Sequence, residues 1–250
     1  MVDTGVAAAG SVEDAELDKF RGLAERWWDP DGPMRPLHRM NPCRVGWIRA
    51  ELCRQLGLDA AGRRPLAGLR VLDIGCGGGL MAEPLARMGA VVTGLDPAAE
   101  NVETAAWHAG EVGLAIDYRA GTAEEMAAGS ARFQVVLALE VVEHTPDADA
   151  FLGTAASLLA PGGLLVLSTL SRTWRAWLLG IVAAERILGW LPAGTHDWHR
   201  FVRPSEMARS LRGHGLTVTA ITGIAWDTPT DSFSTVRDTS VNYMLTARGS

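Results

Sequence analysis

Val71-Leu72-Asp73-Ile74-Gly75-Cys76-Gly77-Gly78-Gly79 runs an apolar strand into a Gly-x-Gly-x-Gly turn. A helix-like segment, Leu80 to Met88, follows, and a second apolar strand, Val91 to Leu95, ends on Asp96. Strand, glycine turn, helix and strand in that order build a nucleotide-shaped pocket at the carboxyl end of a parallel sheet. Gly75 and Gly77 let backbone N–H groups approach a ligand and permit φ > 0. Asp96 stands 21 residues after Gly75, where an acid can accept hydrogen bonds from both ribose hydroxyls.

The same stretch narrows the ligand. A dinucleotide fingerprint would read Gly-x-Gly-x-x-Gly and leave a helix N-terminus for pyrophosphate. Here the sixth position counted from Gly75 is Leu80, and Asp73 sits just before the turn. An acid there repels a diphosphate and suits a cationic, phosphate-free ligand. S-adenosylmethionine carries an ammonium and a sulfonium and no phosphate. The Asp-x-Gly-x-Gly-x-Gly pattern resembles motif I of the class I methyltransferases; a glycine-rich turn in an unrelated α/β protein is the alternative. Asp73, Gly75, Gly77 and Asp96 are the candidate cofactor contacts.

Composition sets outer bounds. A chain of 250 residues fits one α/β domain with additions. A formal net charge of −6 gives no basic footprint for nucleic acid. Three cysteines (Cys43, Cys53, Cys76), an odd number without metal spacing, point to a reducing compartment. The acidic start of the chain matches neither a signal peptide nor a transit peptide, and no apolar run is long enough to span a membrane.

Strands are expected at about 69–74, 91–95, 115–118, 133–139 and 164–168, with helical stretches at 79–88, 97–112, 122–129 and 147–159 between them. Such alternation implies a doubly wound α/β fold, a mostly parallel, seven-stranded Rossmann-like sheet. Residues 1–12 read as a disordered tail and 13–65 as a helical N-terminal extension, interrupted by Asp29-Pro30-Asp31-Gly32-Pro33 and Asn41-Pro42. Residues 66–170 form the cofactor-binding core and 171–203 an amphipathic insertion after strand five. Residues 204–248 complete the domain with a helix at 204–214 and strands at 216–224 and near 241–247.

Three further constellations carry chemistry. Glu140, Glu143 and His144 follow strand four, at the sheet end where ligands gather. They read either as a divalent-cation site, with magnesium the first choice, or as acids capping a helix N-terminus. A cation there would lower a catechol's pKa and orient its oxygen. Trp174 to Leu191 places Trp177, Ile181, Ala184, Leu188 and Leu191 on one helical face, and Arg172, Arg175, Glu185 and Arg186 opposite. It suits a bilayer interface or a cap over the site. His196 and Asp197 could act as a base with its orienting acid, or as loop hydrogen-bonding groups. Arg44 could pair with a ligand carboxylate or stand on the surface.

Several motifs then converge. Arg26-Trp27-Trp28-Asp29, Pro36-Leu37-His38-Arg39, Asn41-Pro42, Val71 to Gly79, Glu140 to His144, Ser168-Thr169-Leu170, Gly194-Thr195-His196-Asp197 and Val241 to Leu245 resemble the ubiquinone-biosynthesis O-methyltransferases, from about Phe20 to Leu245. The resemblance implies methylation of polyprenylated catechols: a 2-polyprenyl-6-hydroxyphenol early in the pathway and 3-demethylubiquinol at its end. By matched positions it implies that Arg44, Gly75, Asp96 and Leu139 contact S-adenosylmethionine, Leu139 through its backbone. It also implies that Glu140, Glu143 and His144 bind a divalent cation. Without a cation, His144 or His196 is the expected base. The expected partners are the tailed catechol, an anionic membrane surface met through 171–191, and other ubiquinone-pathway enzymes. The expected location is cytoplasmic, peripheral to the inner membrane. The rival readings are a methyltransferase for another small phenol and a catalytically silent, cofactor-binding lipid-surface protein.

Overall fold

A computed structural model describes residues 26–178, 197–227 and 229–249. Its centre is one sheet in the order β3-β2-β1-β4-β5-β8-β6-β7. The strands are β1 (Arg70–Ile74), β2 (Val91–Asp96), β3 (Asp117–Ala120), β4 (Phe133–Leu139), β5 (Leu159–Leu170), β6 (Leu216–Asp227), β7 (Ser232–Val236) and β8 (Asn242–Gly249). The helices are α1 (Arg35–Leu56), α2 (Ala82–Arg87), α3 (Ala99–Glu111), α4 (Ala123–Ala128), α5 (Ala148–Ser157), the short α6 (Trp174–Ala176) and α7 (Pro204–Gly213). β1 to β5 pair in parallel, β8 runs antiparallel to β5 and β6, and β7 runs antiparallel to β6.

The central strands are apolar on both faces because helices cover both. Leu72, Val136, Ala138, Leu165 and Leu167 point to the side packed by Phe151, Leu152, Met207 and Leu211. Val71, Val135, Leu137, Leu164 and Val166 point to the side packed by Ile48, Leu52 and Leu85. Successive residues of each strand alternate between these two cores. At β1 the chain order turns: β2 and β3 build outward on one side, β4 and β5 on the other. A crevice at such a switch point is where ligands enter doubly wound sheets.

Four local differences separate the structure from the sequence reading. The sheet has eight strands rather than seven. β7 (Ser-Phe-Ser-Thr-Val) is an exposed edge strand whose residues carry little apolar signal and which, among the described residues, pairs only with β6. The strand signal at 164–168 extends to Leu159–Leu170, since the Pro161-Gly162-Gly163 turn is absorbed at a register shift opposite Phe133 and Val135. β3 lies at 117–120 rather than 115–118. The helix α1 passes through Pro42 instead of breaking there. Buried Ile48 and Leu52 hold its C-terminal half, and Asn41 Nδ2 donates to Leu80 O, so tertiary anchoring outweighs the lost backbone bond at the proline.

Candidate active site

The glycine turn closes the carboxyl end of β1. Gly75 and Gly77 adopt φ of 70° and 51°, the left-handed region in which a side chain is strained. Space forbids a side chain as well. A Cβ on Gly75 would lie 2.5 Å from Val141 Cγ2, and one on Gly77 would lie 2.5 Å from the Trp27 ring. The β1 turn therefore rests on the segment after β4 on one side and on an N-terminal indole on the other.

Asp96, at the tip of β2, is fixed from three directions. Gly77 N donates to Oδ2 at 2.9 Å, Ala98 N to Oδ1 at 3.0 Å, and Asn101 Nδ2 to Oδ1 at 3.1 Å. Burial raises its pKa, and these donors oppose the rise. A carboxylate offers about four acceptor positions, so Oδ2 keeps one for a ribose hydroxyl. That is one fewer than both hydroxyls would use at once.

Beneath the turn, Asp73 and Arg44 are both buried, 2% and 4% exposed, and close enough to influence each other's charge. Arg44 is not the surface arginine its context allowed: α1 carries it into the sheet, where Nη2 donates to Asn41 Oδ1 at 3.4 Å. Burial lowers its pKa, while Glu140 and Asp73 raise it. Burial raises the Asp73 pKa to about 7, with Arg44 opposing and Asp96 adding to the rise. Asp73 Oδ2 and Arg44 Nε have no hydrogen-bond partner. One carboxyl oxygen and one guanidinium nitrogen thus stand without hydrogen-bond partners at the switch point, complementary to an α-ammonium and an α-carboxylate.

The acids after β4 are arranged differently from either expectation. Glu140 takes φ 57°, a strained value for a non-glycine residue of the kind that collects at functional sites. Its Oε1 accepts from Ser168 Oγ at 2.8 Å, and Asn242 Nδ2 approaches Oε1 and Oε2 at 3.3 and 3.4 Å. Glu143, 3% exposed, accepts from Thr169 Oγ1 at 2.7 Å, and its Oε1 has no hydrogen-bond partner. Burial and Glu140 push its pKa up, and His144 opposes the rise. The two carboxylates turn to different neighbours on β5 and β8, and among the described residues no three His, Cys, Asp or Glu side chains are placed to hold a metal ion. Glu140, Glu143 and His144 therefore do not fit a cation site as they stand. Nor do the glutamates cap a helix: Asp147 caps α5, accepting from Asp149 N and Ala150 N.

Leu139 ends β4 opposite Ser168 of β5, beside these groups. Asp197 Oδ1 accepts from His199 N at 2.9 Å and caps the turn 198–200, the structural role allowed for it. His196 lies outside the described residues, as do Ile181, Ala184, Leu188 and Leu191. Two contributors carried no chemical signal in the sequence. Asn101 sits in an amphipathic helix, and Trp27 stood out only as part of the Arg-Trp-Trp-Asp marker.

Comparisons with known proteins agree with this geometry. Residues 46–221 match the family model described as a methyltransferase domain. A ubiquinone biosynthesis O-methyltransferase of Methylobacterium sp. (strain 4-46) is 50% identical over 95% of both chains. One of Parvibaculum lavamentivorans is 48% identical over 96% of this chain and 95% of its own. Among solved structures, a magnesium protoporphyrin IX methyltransferase from Synechocystis PCC 6803 with bound S-adenosylhomocysteine superposes with a TM-score of 0.64 at 23% identity, covering 95% of each chain, a likeness of fold. With the glycine turn, the β2 acid and about half identity over nearly the whole length in agreement, this chain belongs to the ubiquinone biosynthesis O-methyltransferase family.

Proposed function

We infer that the protein catalyses S-adenosylmethionine-dependent O-methylation in ubiquinone biosynthesis, and we propose polyprenylated catechols, the 6-hydroxyphenol and 3-demethylubiquinol, as its acceptors. The observation that carries the reading is the buried Arg44, Asp73 and Asp96 set around the glycine turn, in a chain half identical to named family members. When bound, S-adenosylmethionine supplies an electrophilic methyl group on sulfur. Asp96 Oδ2 and the glycine-turn backbone hold the ribose end, while Arg44 and Asp73 hold the amino-acid end. A donor fixed at both ends presents its methyl in one direction. Such positioning lowers the barrier by as much as roughly 7–11 kcal/mol. The acceptor approaches from the β4 side, past Glu140, Glu143 and His144. There His144, half-buried and close enough to influence Glu143, takes the phenol proton as the catechol oxygen attacks.

Two further elements belong to this proposal. A divalent cation, magnesium first, would require Glu140 to leave Ser168 and Asn242 and join Glu143 and His144; the steps above do not pass through it. Peripheral membrane contact is supported by Trp174, Trp177 and Leu178, which are exposed at the start of the insertion. No helix among the described residues is long and apolar enough to cross a membrane. The deciding experiment is mass-spectrometric methyl transfer to a short-tailed demethylubiquinol and to a tailless catechol, with and without chelator. Transfer to neither would overturn the proposal.

A further inference from the structure

Asn101 belongs to no binding motif, yet it is buried at 2% exposure and both ends of its amide are used. Oδ1 accepts the indole N–H of Trp27 at 2.9 Å, and Nδ2 donates to Asp96 Oδ1 at 3.1 Å. The Trp27 ring in turn lies where a side chain on Gly77 or Gly78 would stand, and Gly77 N donates to the other oxygen of Asp96. The contacts close a circuit: Asp96, Asn101, Trp27, the glycine turn, and back to Asp96. His38 Nε2 meets Trp27 O at 2.8 Å, and Trp28 Nε1 donates to Gly78 O at 2.9 Å while its ring stacks on His108. Trp27 and Trp28, which precede α1 and form an N-terminal strap over the glycine turn, are thereby pinned at three points around the indole.

The geometry points to Asn101 as a positioning residue for cofactor binding, which holds the Asp96 carboxylate in its ribose-accepting orientation and ties the Trp27 strap to it. The inference rests on Asp96 as the ribose acceptor. A buried amide whose two ends are both bonded fixes its neighbours more firmly than a single contact does, because neither end can turn without stranding a buried polar atom. Asn101 also lies on the donor side of the pocket, away from Glu140, Glu143 and His144, so its influence falls on the methyl donor rather than the acceptor.

The test uses the full chain, with the S-adenosylmethionine Kd from calorimetry and KM and kcat from methyl transfer to a short-tailed catechol. Asn101→Ala should weaken cofactor binding roughly tenfold, the scale of one charge-assisted hydrogen bond, and leave kcat at saturating cofactor nearly unchanged. Asn101→Asp, which removes the donor and sets a second carboxylate beside Asp96, should weaken it more. Trp27→Phe removes the N–H and also shrinks the bicyclic ring that packs on Gly77 and Gly78, so it loses packing as well as the hydrogen bond. Because the Trp27 N–H bond runs through the Asn101 amide, Trp27→Phe combined with Asn101→Ala should cost less than the sum of the two single changes. Asn101→Ser, a smaller polar side chain, and Trp27→Phe carry the measurement if the alanine variant fails to fold. Asp96→Ala is the reference. If it binds normally, the ribose assignment itself fails. If it binds weakly while the Asn101 variants match the parent, or if Trp27→Phe and Asn101→Ala are additive, the positioning role is overturned.

Discussion

Gly75 and Val141 meet across the switch point of the sheet, with no room between them for a methyl group: a Cβ on Gly75 would stand 2.5 Å from Val141 Cγ2. The contact sets the spacing between the turn that follows β1 and the acids that follow β4. Donor and acceptor sides of the pocket are thus spaced by packing against a hydrogen atom.

Gly75→Ala should therefore lower stability by about 1–3 kcal/mol, from the φ of 70° and the clash together, and weaken cofactor binding more than tenfold. Val141→Ala in the same chain should restore part of the loss, because it removes the clash and leaves the backbone strain. Chemical denaturation and calorimetry on the single and double variants check this. Equal stability of parent and Gly75→Ala would show that the turn is looser than described.

Asp96→Ala should cost about 1.5–3 kcal/mol of S-adenosylmethionine binding, the scale for hydrogen bonds to a charged group. The same change strands the N–H groups of Gly77, Ala98 and Asn101, so a lower Tm should accompany it. An unchanged Kd by calorimetry would move the ribose elsewhere.

Asp73 should make cofactor binding pH-dependent. Its pKa stands at about 7 when buried beside Arg44, against about 3.9 in an unfolded chain. The folded state then holds the proton more tightly, so the stability Asp73 contributes is full below pH about 4 and is lost as pH rises toward 7. A ligand ammonium beside Oδ2 favours the charged form. Affinity should fall as pH drops below about 7, with a proton released on binding near pH 6.5, measurable by calorimetry in buffers of different ionisation enthalpy. Asp73→Asn should remove the proton release and reduce the slope of Tm against pH, the remainder coming from other buried acids such as Glu143. A proton release undiminished in Asp73→Asn would assign it to another group.

Trp174 and Trp177, 71% and 48% exposed, should carry the contact of the insertion with a lipid surface. Arg172 is paired with Glu206, and Arg175 with Asp238, so these two arginines add less attraction to an anionic surface than free ones would. Binding by the described part should therefore depend more on apolar area, at about 25 cal/mol per Å² buried, than on salt. Trp174→Glu with Trp177→Glu should lower vesicle co-sedimentation and raise KM for tailed substrate, leaving a tailless catechol unaffected. Equal loss on both substrates would make the segment a site cap.

Local sequence determined the parallel core. The apolar runs 71–74 and 133–139, the glycine turn and the terminal acid of β2 are short-range signals: each residue's role follows from backbone conformation or strand period, and no distant partner is needed to read them. The placement of Asp73, Gly75, Gly77 and Asp96 around one turn at the sheet end was legible for that reason. Tertiary structure decided whatever depends on what a side chain meets. Arg44 became a buried cation because α1 packs against the sheet through Ile48 and Leu52, and α1 crosses Pro42 for the same reason. Glu140 and Glu143, three residues apart in sequence and suited to a shared cation, turn instead to Ser168, Asn242 and Thr169, groups that only the pairing of β4, β5 and β8 brings within reach. Asn101 gained its two partners because β2, α3 and the N-terminal strap converge on the same turn. Spacing along the chain places functional groups at a sheet end, but a buried polar group's partner is chosen by long-range packing, since each must find whichever donor or acceptor the fold delivers to it.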